Sequence, residues 1–298
     1  MLADFFSASP SFFHSPSFFL GSLLLVSLGA TPGQPPRPFQ SDPPKNCASC
    51  AGWNADRAPF KIHGNTYFVG TAGLGSVLIT SSGGHILLDG GLPETAPLID
   101  AHIRTLGFRT EDIKLILTSH THYDHVGGVA ALQRYSGATV ASSPSAAEAL
   151  RRGRPTDDDP QFLTPDNGFP AVANIQTIKD GEVLRAGALS VTAHFTPGHT
   201  PGGTTWTWQS CEGNRCLAMV YADSLTSVSA DGFRFTGDAK TPSRVDAFMR
   251  SIATVEGRKC DALIPVHPSS KPFIAADACK TYAATARKAL NERVAKER

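Results

Sequence analysis

The stretch Thr118-Ser-His-Thr-His-Tyr-Asp-His-Val-Gly-Gly128 places His120, His122, Asp124 and His125 within six positions. Imidazole nitrogen and carboxylate oxygen are ligands that zinc accepts, and donors this close together need a tight turn before they can converge on an ion. The preceding run Lys114-Leu-Ile-Leu-Thr118 reads as a buried strand, and the residues from Val126 onward read as the start of a helix. The cluster is therefore predicted on a strand-to-helix loop. One such loop cannot complete two coordination spheres, so the fold must bring further ligands to it from distant parts of the chain.

Two histidines occupy positions of the same kind. His199 follows the predicted strand Leu189-Ser-Val-Thr-Ala-His-Phe-Thr196 in the turn Pro197-Gly-His-Thr-Pro-Gly-Gly203, and His267 follows Ala262-Leu-Ile-Pro-Val266. Each lies just past the C-terminal end of a strand, the edge where open α/β sheets place their sites. His14, His63, His85 and His102 have no acidic or histidine neighbour and read as surface or core residues. His194 precedes His199 by an odd offset along a strand, which turns it to the opposite side.

His-Thr-His-Tyr-Asp-His with a later Pro-Gly-His-Thr and a last Val-His-Pro resembles the metallo-β-lactamase superfamily, from about Phe60 to the C-terminus. With His120, the segments Trp206-Thr-Trp-Gln-Ser-Cys-Glu-Gly and Tyr221-Ala-Asp-Ser-Leu-Thr narrow the resemblance to class B, subclass 3. The resemblance implies an α/β fold, an αββα four-layer sandwich with the metal site at the loop edge between two sheets. It puts His120, His122 and His199 on a first zinc ion and Asp124, His125 and His267 on a second, with Asp124 counted as catalytic too. Asp89 would support the metal loop from behind, and Ser224, Thr226 and Gln161 would contact substrate. The implied activity is zinc-dependent hydrolysis of the β-lactam amide of penicillins, cephalosporins and carbapenems by a metal-bound hydroxide, conferring antibiotic resistance. A glyoxalase-type or lactonase-type thioester or ester hydrolase shares the metal motif, with Asp223 as its bridging carboxylate. Against that alternative, little chain follows His267 for a glutathione-binding domain. No Gly-x-Ser-x-Gly or Ser-x-x-Lys motif with a credible base points to a serine mechanism.

Residues 1–30 read as a signal peptide, with an apolar core from Phe18 to Ala30 too short for a comfortable membrane span. Its basic region is missing, since no Lys or Arg precedes Arg37. Residues 31–55 read as a proline-rich linker and N-terminal segment, and 56–298 as the catalytic domain, roughly 250 residues and enough for one two-layered core. Export to the periplasm is expected, with no membrane attachment after signal removal. A formal charge of +1 with acids and bases interspersed argues against nucleic acid as a partner. The expected partner is a small-molecule β-lactam, and the expected state a monomer.

Six cysteines fit an oxidising compartment. Cys211 and Cys216 flank a turn and can close a hairpin; Cys260 and Cys279 match a bridge common in the resembled subclass. For Cys47 and Cys50 a local disulfide and free thiols both fit the spacing. Strands are predicted at Lys61–Thr71, Ser76–Thr80, His85–Asp89, Ala188–Phe195, Thr204–Gln209 and Leu217–Ala222. Helices are predicted at Ala96–Leu106 and from Arg244 to Val255, the latter capped by Ser243. A C-terminal helix should bury Cys279, Ala286, Leu290 and Val294, with Lys280, Arg287, Lys288, Arg293 and Arg298 on its wet face. Arg152 to Phe162 reads as an irregular polar segment over the site.

Overall fold

Short aliphatic runs that are apolar on both sides need cover on both faces, and the chain supplies it with a second sheet on one side and helices on the other. The computed structural model describes residues 38–239, 241–268 and 273–298. The expected signal peptide lies outside them, as do residues 31–37 of the proline-rich segment. Residues 37–298 form one compact unit.

Its first half contributes β1 (Phe60–His63), β2 (Thr66–Phe68), β3 (Val77–Ile79), β4 (His85–Leu88), β5 (Ile113–Leu117), β6 (Thr139–Ser142) and β7 (Ile175–Thr177), paired in that order in one sheet. The second half contributes β8 (Val183–Ala186), β9 (Leu189–Phe195), β10 (Thr204–Glu212), β11 (Arg215–Ala222) and β12 (Ala262–Pro265), paired as β12-β11-β10-β9-β8. Side chains alternate across each strand. Val77, Ile79, Ile86, Leu88, Leu115 and Leu117 meet Val191, Trp206, Trp208, Met219, Tyr221 and Ile264 in a core between the sheets. The intervening Leu78, Leu87 and Ile116 turn outward beneath helices α2 (Ala96–Thr105), α4 (Val129–Ser136) and α5 (Pro144–Arg152). On the far side Val220, Ala222 and Leu263 pack under α6 (Val245–Glu256) and α7 (Ala278–Lys296). The result is the αββα sandwich. Each fully buried Leu, Ile or Phe contributes about 1.5–3 kcal/mol, so three apolar seams supply the driving force.

Two short helices remain: α1 (Cys50–Trp53) and α3 (Tyr123–Val126). The first belongs to the N-terminal segment, which packs on the domain rather than trailing from it: Thr71 Oγ1 donates to Trp53 O at 2.6 Å, and Ala72 N to Ala55 O at 2.8 Å.

Some local expectations are corrected. The predicted strand Lys61–Thr71 is a hairpin, β1 against β2, because Gly64 turns the chain at a φ of 52° beside Asn65. The helix α6 begins with Arg244 at its N-cap; Ser243 Oγ accepts only from Val245 N, at 3.3 Å. On α7, Cys279, Ala283, Ala286 and Leu290 are buried, and Val294 is half-buried.

Candidate metal centre

All the loops that matter leave the C-terminal ends of β4, β5, β9, β11 and β12. Past β5, Thr118–Thr121 carries His120, and α3 opens directly after His122, so Asp124 and His125 ride on its first turn. Two bonds from the second sheet hold this loop: Thr204 N donates to Ser119 O at 2.7 Å, and Trp206 Nε1 to Thr118 O at 3.0 Å. At the end of β4, Asp89 adopts a φ of 57°, a rare conformation outside glycine. Its carboxylate accepts from Ser119 N at 2.7 Å, Ser119 Oγ at 2.6 Å and Tyr221 OH at 2.8 Å. Asp89 thus ties the loop to both sheets from beneath.

Two groups of donors result. One ligand atom from each of His120, His122 and His199 lies within 4.8 Å of the others, and the same holds for Asp124, His125 and His267. Five of the six are buried, and His267 is exposed. The rings of the two groups adjoin, with His120 and His125 centroids 4.1 Å apart. Each triad draws two ligands from the first sheet's loop and one from the second half of the chain.

Four of the five imidazoles have their outward nitrogen fixed by a hydrogen bond, which sets tautomer and orientation. His120 Nδ1 donates to Asp223 Oδ1 at 2.9 Å, His122 Nε2 to Asp159 Oδ1 at 3.1 Å, His199 Nδ1 to Thr226 O at 2.9 Å and His267 Nδ1 to Gly73 O at 3.1 Å. His125 Nδ1 stands 3.7 Å from Asp89 Oδ2. Trp53 lies against the His267 ring at 5.5 Å between centroids.

The donor set fits a metal on three counts. His120 Nε2 is buried and has no hydrogen-bond partner among the described residues. Nε2 atoms of His125 and His267 face each other at 3.1 Å, an approach that two lone pairs tolerate only around a shared cation or proton. Burial, reinforced by neighbouring rings, lowers His199 to about 3 and His267 to about 4 and depresses His120 strongly, leaving all three as the free bases that coordination requires. At Asp124 burial opposes ionisation, but His125 outweighs it and holds the carboxyl well below its ordinary range. At His125 burial is again opposed, by Asp124 and Asp89, which lift it to about 10. Positive charge is what this spot favours.

The remaining predicted residues sit around this centre. Ser224 is buried and donates its N–H to Asp223 Oδ1 at 2.8 Å, while Thr226 is exposed, with Oγ1 3.1 Å from His199 Nδ1. Gln161 is half-buried, its Nε2 3.4 Å from His122 Nδ1. Asp223 is fully buried, its carboxyl raised well above the usual range by burial and by Asp89. It meets His120 on the nitrogen remote from the cluster. Gly203 packs so tightly against Asp223 Oδ2 that a methyl group there would collide with it. The pairs Cys211–Cys216, Cys260–Cys279 and Cys47–Cys50 are all disulfides.

Sequence reasoning missed Asp159, the partner of His122. It is the last of three consecutive aspartates, and nothing in such a run says which one turns inward. Trp53 was missed too, because its contact depends on how the N-terminal segment docks.

A four-layer sandwich with two adjoining triads at one sheet edge, one of three imidazoles and one of a carboxylate and two imidazoles, defines a metal-dependent hydrolase scaffold. Residues 76–212 match the metallo-β-lactamase superfamily model. The solved structure of Rm3 metallo-β-lactamase is 49% identical, covering 85% of this chain and 99% of that one with a TM-score of 0.81. A second, MEM-A1, a subclass B3 metallo-β-lactamase from a soil metagenome library, is 46% identical over 82% of this chain and 98% of its own, with a TM-score of 0.79. The chain belongs to the metallo-β-lactamase superfamily, and among its members it resembles those of subclass B3. Among curated proteins, the hydroxyacylglutathione hydrolase of Anaeromyxobacter dehalogenans (strain 2CP-C) is 29% identical over 64% of this chain, which spans 58% of that protein. The site binds a metal through these histidine-rich groups.

Proposed function

We infer that the chain is a β-lactamase: with two zinc ions bound, one per triad, it hydrolyses the β-lactam amide of penicillins, cephalosporins and carbapenems. The observation that carries this is the pair of complete triads on a scaffold nearly half identical to Rm3 metallo-β-lactamase over almost its whole length. Bound zinc supplies Lewis acidity, polarising a carbonyl and lowering the pKa of a coordinated water to about 7. The protein's part is to hold six donors in place and to keep His120, His199 and His267 as free bases. Asp89, Asp159 and Asp223 fix the loop and two of its rings from behind, and Gly73 and Thr226 carbonyls fix two more. In this reading Thr226, exposed beside His199, and Gln161, 3.4 Å from His122, would meet the substrate together with Ser224, two residues before Thr226.

Three disulfides among the described residues support a periplasmic site of action, where a monomeric enzyme would protect its host from these antibiotics. The purified chain should turn over a carbapenem and a cephalosporin, lose this on chelation, regain it with zinc and ignore clavulanate. Turnover of S-lactoylglutathione without any β-lactam would replace this reading by the hydroxyacylglutathione one. In that reading Asp223 would face the metals, whereas its Oδ1 is taken by His120 Nδ1.

A further inference from the structure

The first triad is enclosed by a frame of chain that the six ligands do not explain. His120 is held by Asp223 and His199 by the Thr226 carbonyl, and the same segment continues to Ala230, whose N–H donates to Pro160 O at 2.9 Å. Pro160 adjoins Asp159, which holds His122. The three rings of one triad are thereby connected through two loops that meet at this backbone bond. Asp159 is 3% exposed and is built into its own loop: Gln161 N donates to Oδ1 at 2.7 Å, Phe162 N to the Asp159 carbonyl at 3.0 Å, and Asp159 N to Thr156 O at 2.9 Å. Its Oδ2 is buried and has no hydrogen-bond partner among the described residues. A carboxylate is costly to place there unless it serves the neighbouring ring, because an unpaired buried oxygen forfeits its hydration.

We propose that Asp159 is a positioning residue that turns His122 so that Nδ1 points into the triad, and that it couples the conformation of the 154–163 loop to metal affinity at that triad. The proposal rests on the reading of His122 as a ligand. Its neighbours in sequence do different work: Asp157 pairs with Arg152 at 2.7 Å and Asp158 with Arg244 at 3.4 Å, both at the surface. Only Asp159 reaches a ring. With it in place, an ion at the first triad and the ordered loop stabilise each other. Without it, His122 is free to rotate and the loop loses its tie to the site.

The test compares the full-length wild type with Asp159→Ala, Asp159→Asn and Asp158→Ala. Zinc affinity is measured by competition with a chromophoric chelator, and the geometry of the first site by the visible spectrum of the cobalt-substituted protein. In Asp159→Ala one of the two zinc affinities should fall about 10- to 100-fold, the range found for lost outer hydrogen bonds to ligands, and the cobalt bands should shift. The other affinity should stay. Asp159→Asn, which keeps an acceptor oxygen, should recover part of the loss, and Asp158→Ala, which breaks the Arg244 pair, should match wild type. Hydrogen exchange in residues 154–163 should slow on zinc addition in the wild type and not in Asp159→Ala. Two unchanged affinities with unchanged cobalt bands in Asp159→Ala overturn the proposal, as does an equal loss in Asp158→Ala. Failure of the wild type itself to bind zinc would instead remove the metal reading beneath it.

Discussion

Among the six donors of the two triads His267 differs in exposure, and this makes it the one whose removal the structure tolerates best. Its outward nitrogen rests on Gly73 O and its ring on Trp53, both outside the metal loop. His267→Ala should therefore fold and carry close to one zinc per chain instead of two, read by elemental analysis after dialysis. Two tightly held ions in that variant would exclude His267 from the site. Asp223 contrasts with it, being fully buried between His120 and Gly203. Asp223→Asn keeps an acceptor for His120 Nδ1 and should retain zinc, whereas loss of zinc from it alone would mark Asp223 as a direct ligand. The histidines that converge in the two triads were legible in sequence because each follows a strand end and belongs to a recognisable motif. The groups that orient them were not, since an acceptor such as the Thr226 or Gly73 carbonyl has no residue-type signature at all.

Helix α7 illustrates what periodicity can and cannot tell. Leu290 is fully buried among Phe248, Ile252 and Val255 of α6, and Leu290→Ala should cost about 2–5 kcal/mol, measured by denaturant unfolding. Val294→Ala, at a half-buried position one turn on, should cost clearly less; equal losses would show that the helix ends are packed alike. A 3.6-residue stripe predicted this face, adding only Ala283 on inspection of the fold. The strands β6, β7 and β8 escaped the sequence reading because Thr139–Ser142, Ile175–Thr177 and Val183–Ala186 lack the continuous aliphatic run that marks the equally short β3 and β4. The β1–β2 hairpin was merged into one strand although Gly64-Asn65 carries a turn signal, since flanking β-formers on both sides outweighed two residues.

At the scale of the whole molecule, the C-terminal end is fastened by charge. Glu297 accepts from Arg293 Nε at 2.7 Å and from the N–H groups of Thr236 and Phe235 at 2.8 and 3.1 Å. Burial opposes ionisation there, but these donors prevail and lower the carboxyl to about 2. A folded value below the unfolded one means that this stabilisation is complete above about pH 4.5 and disappears as the pH falls through 2. Glu297→Gln should accordingly lower the melting temperature at pH 7 and leave it unaltered near pH 2; an equal drop at both would refute an electrostatic role. The three disulfides are each local, with sequence separations of 3, 5 and 19, and none joins the first sheet to the second. Yet both triads do join them, two ligands from one side and one from the other. The exposed turn at Lys179–Gly181 is the link between β7 and β8, so trypsin acting after Lys179 would divide the chain into the two sheets. Such a nicked protein should migrate as one particle while zinc is present and come apart into two fragments far more readily once the metal is stripped, seen by size exclusion under mild denaturant. The reaction centre would then also be a reversible rivet, and the enzyme a natural candidate for reassembly from separately made halves on command of a metal ion.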